Sequence, residues 1–287
     1  MNYELCRLCP RRCGVDRTAG QTGWCGGGDL VRIAKVMLHQ WEEPVLAPNG
    51  KSGAIFFGGC TLGCIYCQNR AISAECVGDE TDAQGLRRIM ENLIAQGAEN
   101  IDLVTPTHYL PTIIPALTPK LPVPVIYNCG GYERAETLKG LEGLVDVYLP
   151  DLKYSDPDLA QQLSGARNYF PVAKTAIREM VRQTGWPQWE GEKLIRGTVI
   201  RHLILPGQVE NSLRVLDWIG KTFAPGEVLV SLMRQYTPME ATKDIPGLNR
   251  RVTDEEYEAV LSWMYLNDLQ GFIQEQEAAD SQFIPDF

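Results

Sequence analysis

From about residue 53 onward the chain alternates short apolar runs with stretches of helical period. Runs rich in β-branched and aromatic residues occur at 54–57, 101–104, 123–127, 145–149, 199–205 and 228–233, the lengths and residue types of buried strands. Between the first two, Leu86, Ile89, Met90, Leu93 and Ile94 fall on one face of a 3.6-residue period, and Thr81 with Gln84 predicts a capping box at the start of that helix. Thr253 and Glu256 repeat the device ahead of Tyr257, Val260, Leu261 and Met264. A short helix is predicted over 158–164 and one with a broad apolar face over 211–221. Alternating β and α units imply a parallel sheet with right-handed crossovers, either doubly wound or closed toward a barrel. Two stretches stand outside the pattern. Residues 1–50 are rich in Cys and Gly without clear periodicity, and 165–196, with Trp186, Pro187 and Trp189, reads as a functional insertion over one face or as a partly helical connection.

The chain has 287 residues, 44% hydrophobic and 22% charged, which fits a globular protein with a large core. A net charge of −9 argues against nucleic acid, whose phosphates need a surplus of Lys and Arg. Arg7, Arg11, Arg12 and Arg17 cluster near the start, with Glu4 and Asp16 among them, and read as a solvated face beside a metal site. No signal-peptide pattern is visible and the apolar runs are far shorter than the roughly 20 residues of a membrane span, so the expectation is a cytoplasmic protein without a membrane partner. Nine cysteines in a reducing compartment point to metal rather than disulfides.

Three of them, Cys60, Cys64 and Cys67, follow the first strand with spacings of three and two residues, among Gly58, Gly59 and Gly63. Three thiolates in a tight loop leave one iron of a 4Fe–4S cluster open for a ligand; zinc or buried thiols are the other readings. Four more, Cys6, Cys9, Cys13 and Cys25, supply enough thiolates for a closed site, either a second 4Fe–4S cluster or zinc; that some of them are merely buried thiols is the other reading. Cys76 and Cys129 have no partner pattern. His39 reads as a packed residue, a spare ligand or a lid.

The Cys-x3-Cys-x2-Cys triplet after a strand resembles the signature of the radical S-adenosylmethionine (SAM) superfamily. Its surroundings are similar to the pyruvate formate-lyase-activating enzyme family, in a branch of uncharacterised activating-enzyme homologues. The resemblance implies a partial (β/α)6 TIM-like barrel over 51–287 with a cysteine-rich N-terminal extension over 1–50. It implies SAM chelating the open iron, and an electron from the cluster cleaving SAM to a 5′-deoxyadenosyl radical that abstracts hydrogen. It also implies reduced flavodoxin or ferredoxin as electron donor and a glycine of a protein partner as target. Radical modification of a small molecule or peptide, and a non-catalytic iron–sulfur carrier, are the alternatives. At the strand ends, Gly130-Gly131 is implied to receive the SAM amino group, Asp151 and Lys153 to match an Asp-x-Lys motif near SAM, Arg201 to meet the SAM carboxylate, and Tyr66 to cradle the adenine. His202, on the opposite face of its strand from Arg201, reads as a packed, hydrogen-bonded residue. The segment 233–236 carries no histidine where the classical activating enzymes have one.

Overall fold

Each of the six apolar runs forms a strand. The computed structural model describes residues 1–40 and 43–273, and its elements are, in order, β1 (Val31–His39), β2 (Ser52–Phe57), α1 (Arg70–Ser73), β3 (Asp79–Thr81), α2 (Ala83–Ala95), β4 (Asn100–Val104), α3 (Leu110–Ala116), β5 (Val125–Cys129), α4 (Ala135–Leu138), β6 (Val147–Pro150), α5 (Pro157–Ser164), α6 (Tyr169–Thr184), β7 (Gln188–Glu190), β8 (Lys193–Leu203), α7 (Val209–Thr222), β9 (Leu229–Met233), α8 (Asp254–Leu266) and β10 (Gly271–Ile273). The six predicted strands are β2, β4, β5, β6, β8 and β9, hydrogen-bonded side by side in that order and all parallel, with β10 added in parallel beyond β9. The result is a mixed α/β fold on a 10-stranded sheet.

Residues 1–30 are built of turns, but the first fifty residues are not wholly irregular. β1 pairs antiparallel with β2 and carries β3 on its other edge. Its alternation is masked by Lys35 and by apolar residues on both faces from Val36 to Leu38, which hid it from a period-2 reading. Residues 165–196 are chiefly the 16-residue α6 and a small hairpin of β7 onto β8, so the partly helical alternative holds. The start of α2 also differs by one residue. Asp82, not Thr81, is the cap and accepts the Gly85 amide at 2.8 Å, because Thr81 is still paired with Val31 in the sheet. The capping box of Thr253 and Glu256 on α8 is present as predicted.

Strand alternation sorts the residues into two faces. Val125, Tyr127, Tyr148, Ile200, Val230 and Leu232 face the helices in the main core. Ile126, Val147, Leu149, Val199 and Leu229 face the other way and, with Leu46 and Leu194, make a separate apolar plug. Leu46 is held there by the side chain of Asn100, which donates to its carbonyl at 2.7 Å. Continuing the inward parity toward the C-terminal strand ends gives Asp102, Asn128, Asp151, Arg201 and Ser231. The inner face is thus apolar at one end and polar at the end where parallel α/β folds place their sites.

Candidate cluster and cofactor site

Beyond Phe57 the chain turns through Gly58 and Gly59 into the cysteine loop. Gly59 has φ +84°, and a Cβ there would lie 2.3 Å from the Cys25 carbonyl, so only glycine lets the N-terminal segment close on this strand end. Cys60, Cys64 and Cys67 come together. Burial, followed by the neighbouring Cys67 and Cys64, pushes the Cys60 thiol up to about 12, and burial likewise raises Cys67. Hydrogen-bond donors already point at the sulfurs: the Leu62 amide lies 3.4 Å from Cys60 Sγ, the Ser164 hydroxyl 3.1 Å from Cys64 Sγ, and the Ser73 hydroxyl 3.4 Å from Cys67 Sγ. A thiol set with amide and hydroxyl donors fits an iron–sulfur cluster, whose sulfurs carry negative charge that such donors stabilise. Among the described residues no three His, Cys, Asp or Glu side chains converge to share a single metal ion; in a four-iron cluster each thiolate takes a different iron.

Next to the loop is an ionic array. Asp151 accepts Lys153 Nζ at 2.6 Å and Arg201 Nε at 3.0 Å, and Arg201 Nη2 donates to Asn128 Oδ1 at 2.5 Å. Alternation along an extended chain puts Asp151 and Lys153 on one side; the structure adds that Arg201 is held by the same carboxylate. Burial opposes ionisation of Asp151, but Lys153 and Arg201 outweigh it and hold the carboxyl below its usual range. Burial also works against the charge on Lys153, and Asp151 and the Cys64 thiol outweigh it, so its pKa rises. These three side chains bring two cations to one carboxylate, a balance suited to a further anionic group such as a carboxylate or a thiolate-bound cluster.

Gly130 and Gly131 lie between the array and the loop. A Cβ on Gly130 would meet Leu62 Cδ2 at 3.3 Å; one on Gly131, where φ is +75°, would sit 2.0 Å from the Asp151 carbonyl. The close approach that requires glycine at 131 is therefore to the protein's own backbone. Tyr169, which sequence reasoning missed, organises this turn: its hydroxyl lies 2.9 Å from the carbonyls of both Gly130 and Asp151 and accepts the Lys153 amide at 3.0 Å. Tyr66 is buried with its ring edge-on to Tyr154 and tilted against Tyr236. The Tyr154 hydroxyl is 2.7 Å from those of Tyr66 and Ser164, joining Tyr66 to the donor on Cys64. Asp102, Asn128 and Ser231 were also missed. The signal was available, as polar residues at inward parity near the ends of otherwise apolar parallel strands.

The N-terminal thiols gather beside this region. Burial raises Cys9 to about 12, with Cys25, Glu133 and Cys13 adding to it; burial also raises Cys25, which is influenced by Cys6 and Cys76. The Trp24 amide lies 3.4 Å from Cys13 Sγ. Cys9 feels Cys25 and Cys13, and Cys25 feels Cys6, but these thiols do not converge on one point, so the arrangement matches the separate irons of a cluster better than one tetrahedral zinc. The arginines there are not a uniformly solvated face. Arg17 is 1% exposed, stacks over Tyr3 at 4.4 Å and donates to the His108 carbonyl at 2.5 Å, and Arg11 binds the cysteine loop. His202 is the packed residue expected: Nδ1 lies 2.6 Å from the Leu152 carbonyl, Nε2 2.8 Å from the Ser212 hydroxyl, and burial lowers it to about 4. His39 packs edge-on against Phe56. In the segment without histidine, Arg234 stacks over Tyr257 and pairs with Asp254, while the Gln235 carbonyl accepts Gln68 from the cysteine loop.

The uncharacterised protein MJ0674 of Methanocaldococcus jannaschii is 30% identical over 273 residues, spanning 90% of this chain and 74% of its own. The chain belongs to the MJ0674 family. No family model matches the sequence. In fold, this MJ0674-family chain is similar to a radical SAM methyltransferase from Sphaerobacter thermophilus (TM-score 0.51, 13% identity, 77% of this chain and 66% of that one). It is similar also to methylornithine synthase (TM-score 0.51, 13% identity, 76% of this chain and 63% of that one). The chain thus spans just under two thirds of those two solved chains. A variant of spore photoproduct lyase gives the same TM-score of 0.51 at 10% identity. The fold is shared with these three solved enzymes. No helix among the described residues is long and apolar enough to cross a membrane.

Proposed function

We propose that the chain is a radical SAM enzyme in which Cys60, Cys64 and Cys67 hold a 4Fe–4S cluster. The observation that carries this reading is the placement of the three-thiol loop against the buried Asp151–Lys153–Arg201–Asn128 array, at the polar end of a sheet with the radical SAM fold. A carrier of electrons alone would need the thiols but not the array. When bound, the cluster supplies an electron to SAM, and SAM supplies the carbon radical that takes a hydrogen atom from substrate. The chain's own part is to bind and orient. Arg201, fixed by Asp151 and Asn128, presents a guanidinium in one orientation to a carboxylate. Lys153 adds positive charge beside Cys64 and Cys67. The Gly130 carbonyl, held by Tyr169, is an acceptor for an ammonium. Tyr66 forms an aromatic wall behind the cysteine loop, and its burial excludes water from that side.

For the hydrogen donor we infer a glycine Cα of a protein partner, with reduced flavodoxin or ferredoxin as electron source; the similarity of the Cys60 motif and of Asp151-x-Lys153 to activating enzymes supports it. Changing Cys60, Cys64 and Cys67 together to Ala is expected to abolish 5′-deoxyadenosine formation by the reduced protein, and formation at the wild-type rate refutes the assignment. Equilibrium SAM binding separates the carrier, since a carrier does not bind SAM. An EPR doublet on a candidate partner incubated with enzyme and SAM tests the glycyl target, and a small-molecule product without that doublet moves the target to the alternative class.

A further inference from the structure

Arg11 stands between Cys9 and Cys13, yet its side chain is spent on another part of the chain. Nε donates to the Thr61 carbonyl at 3.1 Å and Nη2 to the Leu62 carbonyl at 2.9 Å, both inside the Cys60–Cys64 loop. The same guanidinium donates through Nη2 to the Ser164 carbonyl at 2.8 Å and through Nη1 to the Gly165 carbonyl at 2.6 Å, at the end of α5. Its flat faces are also used: the guanidinium carbon lies 3.8 Å from the centre of the Trp24 ring and 5.3 Å from that of Tyr132. Trp24 precedes Cys25 and its amide points at Cys13 Sγ. Tyr132 follows Gly131 and stacks on Tyr169 with the rings 17° apart.

Space has been left for this arrangement. A Cβ on Gly63 would meet the Trp24 indole nitrogen at 3.2 Å, and one on Gly165 would meet Trp24 Cη2 at 3.4 Å; both glycines have positive φ, +74° and +56°. Backbone carbonyls of two separate segments converge on one planar donor, a geometry that the compact, freely rotating ammonium of lysine does not reproduce. Ser164, whose carbonyl Arg11 takes, is also the residue whose hydroxyl points at Cys64 Sγ.

We propose that Arg11, stacked on Trp24, is the positioning residue through which the N-terminal cysteine segment holds the Cys60–Cys67 loop in its cluster-binding shape. This rests on the radical SAM reading for what the loop binds, while the clamp itself is a property of the chain. Order in the N-terminal segment is then transmitted to the loop as a coupling between two sites. Where the N-terminal cysteines hold metal, its loss is expected to loosen Arg11, and loss of Arg11 to uncouple the loop from that metal.

The test uses the full chain with Arg11→Lys, which keeps the charge and removes the fork. Hydrogen–deuterium exchange on metal-free protein is expected to rise about tenfold for amides 60–67 with exchange in α7 and α8 unchanged. In reconstituted protein the cluster whose EPR signal SAM perturbs is expected to be lost to a chelator about tenfold faster and to show a shifted spectrum, with N-terminal metal content retained. Cys13→Ser is expected to speed that loss in the wild-type background and to add nothing in Arg11→Lys. If Arg11→Lys does not fold, Trp24→Ala, at a residue 53% exposed, is expected to move both readouts the same way by a factor of two to five. Loop exchange and cluster loss at wild-type rates in whichever variant folds overturn the proposal, as does an additive effect of Cys13→Ser. If wild-type protein holds no iron at the triplet, the radical SAM reading falls instead, and the exchange experiment on metal-free chain still decides the role of Arg11.

Discussion

At the scale of single residues, the hydroxyl of Tyr169 is the least expected part of the site. It serves three backbone groups at once and fixes the Gly130–Gly131 turn against the end of β6. Tyr169→Phe keeps the ring and its packing but leaves buried polar groups short of a partner, a cost of about 1–3 kcal/mol. The expected outcome is a chemical-unfolding stability lower by that amount, together with SAM affinity weakened about tenfold and cluster iron content unchanged. Equilibrium dialysis with labelled SAM and an iron assay on the same sample check it, and affinity equal to wild type would leave Tyr169 a purely structural residue. Nothing local in the sequence announces this tyrosine, because its importance depends on α6 starting where it does. The proximity of Cys60, Cys64 and Cys67 to one another, and the pairing of Asp151 with Lys153, were legible by contrast, since short spacings and strand parity fix which neighbours they share. Arg201 was legible in position but not in partner: its ion pair with Asp151 crosses between β6 and β8, a register that sequence spacing does not encode.

Elements were readable in proportion to how local their determinants are. The six parallel strands and α2, α5, α7 and α8 follow from apolar periodicity and capping chemistry. β1 did not, because both of its faces carry apolar residues, and α6 did not, because its interior mixes Lys, Thr, Arg and Glu with the apolar face. Contacts between elements are further from the sequence still, and His202 shows how they set a pH dependence. It ties β8 to the chain after β6 through the Leu152 carbonyl and to α7 through Ser212. Its pKa, lowered by burial to about 4, lies below that of the unfolded chain, near 6.5. Above pH 6.5 both states are neutral and the contribution is complete. As pH falls from 6.5 toward 4, the unfolded chain takes up a proton that the folded chain refuses, so stability is lost at up to about 1.4 kcal/mol per pH unit. Glu133, raised by burial to about 8, acts in the opposite sense, losing stability as pH rises from its unfolded value through 8. Comparison of one variant with wild type therefore isolates the histidine. For metal-free protein, the unfolding free energy of wild type is expected to fall by about 1.6 kcal/mol more than that of His202→Asn between pH 6.5 and pH 5. Parallel pH curves would show that His202 is protonated in the folded state.

Over the whole molecule, a chain with two groups of cysteines has folded them against each other. Gly59 admits the Cys25 carbonyl, Gly63 and Gly165 admit Trp24, and Arg11 reaches from one group into the loop of the other. The sequence showed two separate motifs and could not show this, because their contacts join residues from 34 to 154 positions apart. Under the proposed reading, the occupancy of the N-terminal group decides between a second redox centre, a structural metal and plain packing. Iron and zinc make opposite predictions for one variant. With a 4Fe–4S cluster at Cys6, Cys9, Cys13 and Cys25, anaerobically reconstituted wild type is expected to hold about eight irons per chain, four for each cluster. The Cys60/Cys64/Cys67→Ala variant then keeps about half of that iron and a brown chromophore. Its EPR signal is indifferent to SAM, because a cluster closed by four thiolates has no open iron. With zinc, the same variant is colourless and retains one zinc through purification, at a site whose four thiolates complete a tetrahedron. The neighbouring Cys76, which acts on the ionisation of Cys25, provides an internal control: Cys76→Ser is expected to leave the metal content unchanged, and loss of metal from it would make Cys76 a ligand. Neither metal in the triple variant, after reconstitution with each, would reduce the four N-terminal cysteines to packing and leave Arg11 and Trp24 alone to hold the segment on the loop.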